Sequence, residues 1–206
     1  MLVLASASPR RRDLLTQAGF EFTALPSSVC EDLLPGENPV AYVLRLAREK
    51  AESVAASSEL RALARHDDEP PLILGADTTV VAPTGEILVK PEDDADAVRM
   101  LRLLSGAVHQ VITGVALVAG EVVEVAAEVT HVTMLTLSEA EIAAYVATGE
   151  PHGKAGAYAI QGRAGRLIPR IHGCYFNVVG LPLALVTSMI EGARLRLNRN
   201  ARLTAR

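Results

Sequence analysis

The stretch Leu2-Val3-Leu4-Ala5-Ser6-Ala7-Ser8-Pro9-Arg10-Arg11-Arg12 decides the fold class. Its first four residues are apolar and suit a buried strand. Ser8 suits an N-cap, and Pro9 suits the first helical position, where a missing N–H is no loss. The order is therefore strand, tight turn, helix start, which opens an α/β unit. That turn also gathers free backbone N–H groups and the positive end of a helix dipole. Arginines are repelled there, so their presence points to an anion, and a phosphate chain is the expected one. A capped helix with a solvated basic first turn is the alternative.

Working outward, the alternation continues. A helix over about 9–18 is closed by Gly19, and Phe20 to Leu25 reads as a second strand. Asn38-Pro39 opens a long helix to about 56. Residues 57–71, charged and ending in Pro70-Pro71, read as a surface loop or a frayed helix end. Leu72 to Ala76 is an apolar strand that Thr78 to Val81 continues. A turn over Pro83–Glu86 returns Ile87-Leu88-Val89 as its hairpin partner. A helix over 93–104 precedes two long strands, 109–119 and 121–135. Ser138-x-x-Glu141 is a capping box for a helix to about 147. Residues 149–173 are glycine-rich, with a short strand at Tyr158-Ala159-Ile160. Leu181-Pro182 opens the last helix, to about 197, which leaves 198–206 as a basic frayed tail. The reading is α/β, one domain over 1–197, with a mixed sheet and flanking helices.

Half of the 206 residues are hydrophobic and 21% are charged, the composition of a soluble globular chain. Only 3% are aromatic and none is Trp, so no stacking platform for single-stranded nucleic acid is expected. The net charge of −4 argues against a general nucleic-acid binder. Cys30 and Cys174 form no zinc or disulfide framework, which suits a reducing cytoplasm. No apolar run reaches the roughly 20 residues of a membrane span, and arginines interrupt the N-terminus where a secretion signal would be apolar.

Four further residues carry chemistry. Lys50 lies on the apolar stripe of the 38–56 helix, with Val43, Leu46, Ala47 and Val54. It either snorkels at the helix edge or enters a cleft that holds an anion. Asp77 ends the run Leu72 to Ala76, the place where α/β sheets put catalytic carboxylates; an Asx turn is the alternative. Lys90 follows the hairpin partner of that strand, which can return it near Asp77, although a surface lysine is the simpler reading. Glu31-Asp32 supplies another carboxylate or a solvated acidic loop. The five histidines form no metal-ligand pair, and Ser6 and Ser8 have no His/Asp relay. Together, Arg10, Arg11, Lys50 and Lys90 would neutralise a polyphosphate. Glu31 and Asp77 would hold a hard divalent cation, Mg²⁺ or Mn²⁺. No G-x-x-x-x-G-K-[ST] is present, so the chain is not a P-loop enzyme.

Seven motifs in order carry a resemblance. S-A-S-P-R-R-R at 6–12, L-A-R-E-K-A at 46–51, G-A-D-T at 75–78, K-P at 90–91, L-S-G at 104–106, A-Y-A-I-Q-G at 157–162 and N-V-V-G-L-P at 177–182 resemble the Maf family of nucleoside triphosphate pyrophosphatases. The resemblance implies a two-lobed fold with a central cleft, similar to inosine triphosphate pyrophosphatases. It implies hydrolysis to a nucleoside monophosphate and pyrophosphate. Ser6, Ser8, Arg10, Arg11, Lys50 and Lys90 match its phosphate-binding positions, and Glu31 and Asp77 match its acidic pair, with Asp77 as base or metal ligand. Thr78 and Gln161 match positions tied to pyrimidine selectivity, and so resemble the branch acting on dTTP and UTP. The branch acting on 7-methyl-GTP differs at both. Thr78 is the neighbour expected to fix the Gln161 amide. A nucleotide-sensing regulator of septum formation without hydrolysis is the alternative function. The expected partner is a nucleoside triphosphate, with no nucleic acid or membrane, and a homodimer is compatible with this reading.

Overall fold

The computed structural model describes residues 1–64, 70–120 and 122–204, without the side chains of 198–204. The elements are β1 (Leu2–Ala5), α1 (Pro9–Gln17), β2 (Thr23–Ala24), α2 (Pro39–Ala55), α3 (Ser58–Leu63), β3 (Leu72–Val81), β4 (Ile87–Leu88), α4 (Asp94–Leu104), β5 (Val108–Ala119), β6 (Val122–Thr133), α5 (Glu139–Val146), β7 (Arg170–His172), α6 (Tyr175–Val179) and α7 (Leu183–Thr204). Two short 3₁₀ turns, Ala155–Ala157 and Arg163–Leu167, lie between α5 and β7.

The strands form one mixed sheet in the order β2-β1-β3-β5-β6-β7, with β4 paired to β3. β1 runs parallel to β2 and β3, and the remaining pairs are antiparallel. The helical crossover from β1 to β3 and the hairpins that follow explain the mixture. Side chains alternate between the two faces. Val3, Ala5, Ile73, Ala116 and Val118 pack under α2. Leu2, Leu4, Leu72, Leu74, Val115 and Leu117 pack against α1 and α7. A third cluster joins Val80, Leu88, Met100, Leu101, Leu104, Val132 and Tyr145 around α4 and α5. Each fully buried Leu or Val contributes about 1.5–3 kcal/mol of transfer free energy.

Two glycines set how closely α2 lies on the sheet. A Cβ on Gly75 would run into the Ala47 carbonyl, and one on Gly114 into the Val43 carbonyl. The helix backbone therefore rests directly on β3 and β5. Asp77, two residues beyond Gly75 and paired with Gly114, faces the same helix.

Three expectations change. Residues 158–160 form no strand. The Ala159 N–H donates to the Tyr145 hydroxyl and the Arg163 N–H to Glu150, so side chains satisfy backbone groups that a ladder would otherwise take. The second strand contracts to Thr23–Ala24. The last helix continues past 197, with its backbone helical to Thr204; residues 205–206 lie outside the described residues. The 57–71 segment contains α3, capped by Ser57, and its residues 65–69, with His66, also lie outside the described residues. Among the described residues no helix is long and apolar enough to cross a membrane.

Candidate active site

A cleft of about 700 Å³ opens beside the C-terminal half of β3. Its walls come from the β1–α1 turn, the loop after β2, the α2 face carrying Lys50, Asp77 and Thr78 on β3, and Lys90 after β4. Ser6, Ser8, Arg10, Arg11, Glu31, Lys50, Asp77, Thr78 and Lys90 all line it. Gln161 lines an adjoining recess with Arg10, Thr78, Lys154 and Tyr158.

The polar centre is a chain of alternating charges. Lys50 Nζ donates to Asp77 Oδ1 at 2.6 Å and to Glu31 Oε1 at 2.6 Å. Lys90 Nζ donates to Glu31 Oε2 at 2.7 Å. Lys50 is 7% exposed and Asp77 8% exposed, so this pair sits in a low-dielectric setting where partners matter. The snorkelling and Asx-turn alternatives fall away, because Lys50 points inward and Asp77 lies within a continuous strand. Glu31 reaches the cluster because its loop is tied to α2: the Tyr42 hydroxyl donates to the Glu31 carbonyl at 2.8 Å, and Arg45 Nη2 to the Asp32 carbonyl at 3.0 Å. Partial burial alone would raise the Glu31 carboxyl, but the two lysine hydrogen bonds outweigh it and hold the group down at about 2. Among the described residues, no three His, Cys, Asp or Glu side chains stand close enough together to form a metal cluster.

The two arginines at the head of α1 differ. Arg11 is buried and bound to the protein. Its Nε donates to the Gly180 carbonyl at 2.8 Å, its Nη2 to Thr78 Oγ1 at 3.0 Å and its Nη1 to Ser6 Oγ at 3.4 Å. Thr78 in turn donates to Thr113, 2.9 Å away, because the Thr113 hydroxyl proton goes to the Asn177 carbonyl at 3.1 Å. Burial lowers the Arg11 guanidinium, and Arg10 adds to that while Asp77 and Glu31 oppose it. Arg10 stands in the cleft with no hydrogen-bond or ion-pair partner among the described residues, and burial lowers it too. The Ser8 hydroxyl makes no capping bond, so the first-turn N–H groups of α1 remain open toward the cleft.

A family model described as Maf-like protein matches residues 1–193. The chain belongs to the Maf family. It is 52% identical over 187 residues to a protein of Geobacter sulfurreducens named dTTP/UTP pyrophosphatase, covering 90% of this chain and 92% of the relative. It is 48% identical over 192 residues to one of the same name from Koribacter versatilis, covering 93% and 94%. Among solved structures, the Staphylococcus aureus Ham1 protein aligns with a TM-score of 0.47 at 12% identity, over 93% of this chain and 98% of that one.

In this Maf-family chain, Ser6, Ser8, Arg10, Arg11, Glu31, Lys50, Asp77, Thr78, Lys90 and Gln161 converge on one cleft and its recess, whereas Leu104-Ser105-Gly106 lines neither. One expectation about them is corrected. No hydrogen bond joins Thr78 to Gln161; the Thr78 hydroxyl is taken up by Arg11 and Thr113. Tyr42 and Lys154 were not singled out from the sequence. Tyr42 shares the buried stripe of α2 with Lys50, which was the available signal. Lys154 is a lysine inside a glycine-rich stretch, and that pattern alone carries no chemistry.

Proposed function

We propose that this chain hydrolyses dTTP and UTP to the nucleoside monophosphate and pyrophosphate. The observation that carries the reading is the Asp77–Lys50–Glu31–Lys90 chain beside Arg10, unpartnered among the described residues, in a member of a family whose relatives are named for this reaction. A polyphosphate entering the cleft meets Arg10, the open N–H groups of α1 and the two lysines. Phosphoryl transfer asks the protein mainly for positioning and charge neutralisation. Asp77 Oδ1 takes the Lys50 proton donor, while Oδ2 has no protein hydrogen bond among the described residues. Oδ2 is the oxygen assigned to accept the proton of the attacking water. Lys50 fixes the orientation of that carboxylate through its hydrogen bond to Oδ1. The triphosphate breaks between its α- and β-phosphorus atoms, and pyrophosphate leaves with its charge countered by Arg10 and Lys90.

Glu31 and Asp77 fit a divalent cation of the Mg²⁺ or Mn²⁺ kind. Such ions need only one or two protein carboxylates when substrate phosphates and water complete the shell, so the missing three-residue cluster is no obstacle. When bound, the cation would polarise the phosphoryl group and acidify water. The deciding assay measures pyrophosphate release from dTTP, UTP, CTP, GTP and 7-methyl-GTP, with Mg²⁺, with Mn²⁺ and with chelator. Preference for dTTP and UTP, lost with chelator, is expected; preference for 7-methyl-GTP would reassign the substrate, and no release from any triphosphate would favour the sensor.

A further inference from the structure

Selectivity for uracil and thymine over cytosine needs a group that cannot swap donor for acceptor. Gln161 cannot supply it alone, because its amide can turn and present either edge. Thr78 does not fix that amide, since its hydroxyl is engaged elsewhere. Lys154 lines the same recess as Gln161 and does not line the cleft that holds Asp77, Lys50, Glu31 and Lys90. Its Nζ donates to two backbone carbonyls, Glu150 at 2.5 Å and His152 at 3.3 Å. An ammonium has three protons and no acceptor, so one proton remains. The side chain is half-buried and pairs with no carboxylate among the described residues. Its backbone is braced as well: the Glu150 carboxylate accepts from Tyr145 Oη at 2.8 Å and from the Arg163 N–H at 3.0 Å, which locks the ends of the 150–163 loop together. Burial lowers the Lys154 ammonium and Arg10 adds to the effect, while the nearby Glu150 carboxylate opposes it.

We propose that Lys154 is a specificity-determining residue that donates its third proton to the O4 carbonyl of a uracil or thymine bound in the recess. Cytosine carries an amino donor at that position, and donor would meet donor. Gln161 then needs only to follow the edge that Lys154 has selected. The inference rests on the dTTP/UTP reading above.

The test measures kcat/KM for UTP, CTP and the triphosphate of 2-pyrimidinone riboside, which lacks the 4-substituent. The proteins are the unaltered chain, Lys154→Met and Lys154→Arg, each checked for its melting temperature. Lys154→Met should lower the UTP value by about 5- to 150-fold, the range for a lost buried polar pair, and change CTP and the 2-pyrimidinone nucleotide by less than about threefold. Lys154→Arg, still a donor without an acceptor, should keep most of the UTP preference. Equal losses for all three nucleotides in Lys154→Met would make the lysine a phosphate ligand or a loop brace and overturn the proposal, as would an unchanged UTP/CTP ratio. No pyrophosphate from UTP or dTTP with the unaltered chain would instead bring down the functional reading beneath it.

Discussion

Lys50 Nζ lies 2.6 Å from Asp77 Oδ1, although the two residues belong to a helix and a strand separated by 27 positions. The contact exists because α2 rests on bare backbone at Gly75 and Gly114. The same close approach that packs the core also brings Lys50 to Asp77. Gly75→Ala and Gly114→Ala each force a Cβ into a helix carbonyl, so the helix must lift. Each should destabilise the protein by about 1–3 kcal/mol, as overpacking does, and should lower kcat at temperatures where the variant is folded. Denaturant unfolding and pyrophosphate assays on the same preparations check both. Loss of stability with full kcat would separate the packing from the site.

The cations should divide by what they touch. Lys50→Ala leaves Asp77 and Glu31 without their shared partner, and Lys90→Ala removes the second partner of Glu31. Each should lower kcat/KM by about 10²-fold, the scale of one lost electrostatic donor. Arg48→Ala, at an exposed pair with Glu52, should stay within about twofold. Similar losses in all three variants would remove the case for a specific cradle.

Arg10 and Arg11, adjacent in sequence, should behave oppositely. Arg11→Ala strips donors from the Gly180 carbonyl, Thr78 and Ser6, and should lower the melting temperature. Arg10→Ala removes no hydrogen bond or ion pair among the described residues, so stability should hold while KM for dTTP and UTP rises. Thermal melts and steady-state kinetics distinguish them, and a melting temperature lowered equally by both would contradict the division.

His109 gives a pH dependence of stability. Burial holds its imidazole down at about 4, with Nε2 2.8 Å from the Tyr158 hydroxyl and Nδ1 without a partner among the described residues. The folded state therefore binds its proton later than the unfolded state does. The stability contributed by the neutral ring is complete above the ordinary imidazole value near 6.5 and is lost as pH falls from there to about 4. Between pH 7 and pH 5 the contribution of this residue should fall by about 2 kcal/mol, at about 1.4 kcal/mol per pH unit below 6.5. Unfolding at both pH values in the protein and in His109→Gln measures the difference; an equal fall in the variant would exclude His109. Glu31 acts lower, its contribution being lost only from about pH 4.5 down to about 2.

What the sequence made legible followed from strong local signals. Pro9, Asn38-Pro39 and the Ser138–Glu141 box sit at helix starts where they were expected, because capping and φ restriction act within a few residues. Lys50 stood out as a charge on an apolar stripe, and Asp77 as a charge closing an apolar run. The three-residue β7 and five-residue α6 escaped because each is too short to display a period and is fixed by distant partners. β7, for instance, exists through pairing of Ile171 with Val132. The Gly75 and Gly114 contacts were not readable, since the need for a bare backbone depends on the helix that arrives later in the fold.

Asp77 is the proposed general base, and one comparison tests it. With UTP and Mg²⁺, UMP and pyrophosphate should appear in equal amounts, and Asp77→Asn should lower kcat by at least about 10²-fold, the scale of lost general-base catalysis, while its melting temperature shows a folded protein. A folded Asp77→Asn variant that releases UMP and pyrophosphate at the rate of the unaltered chain would contradict the assignment.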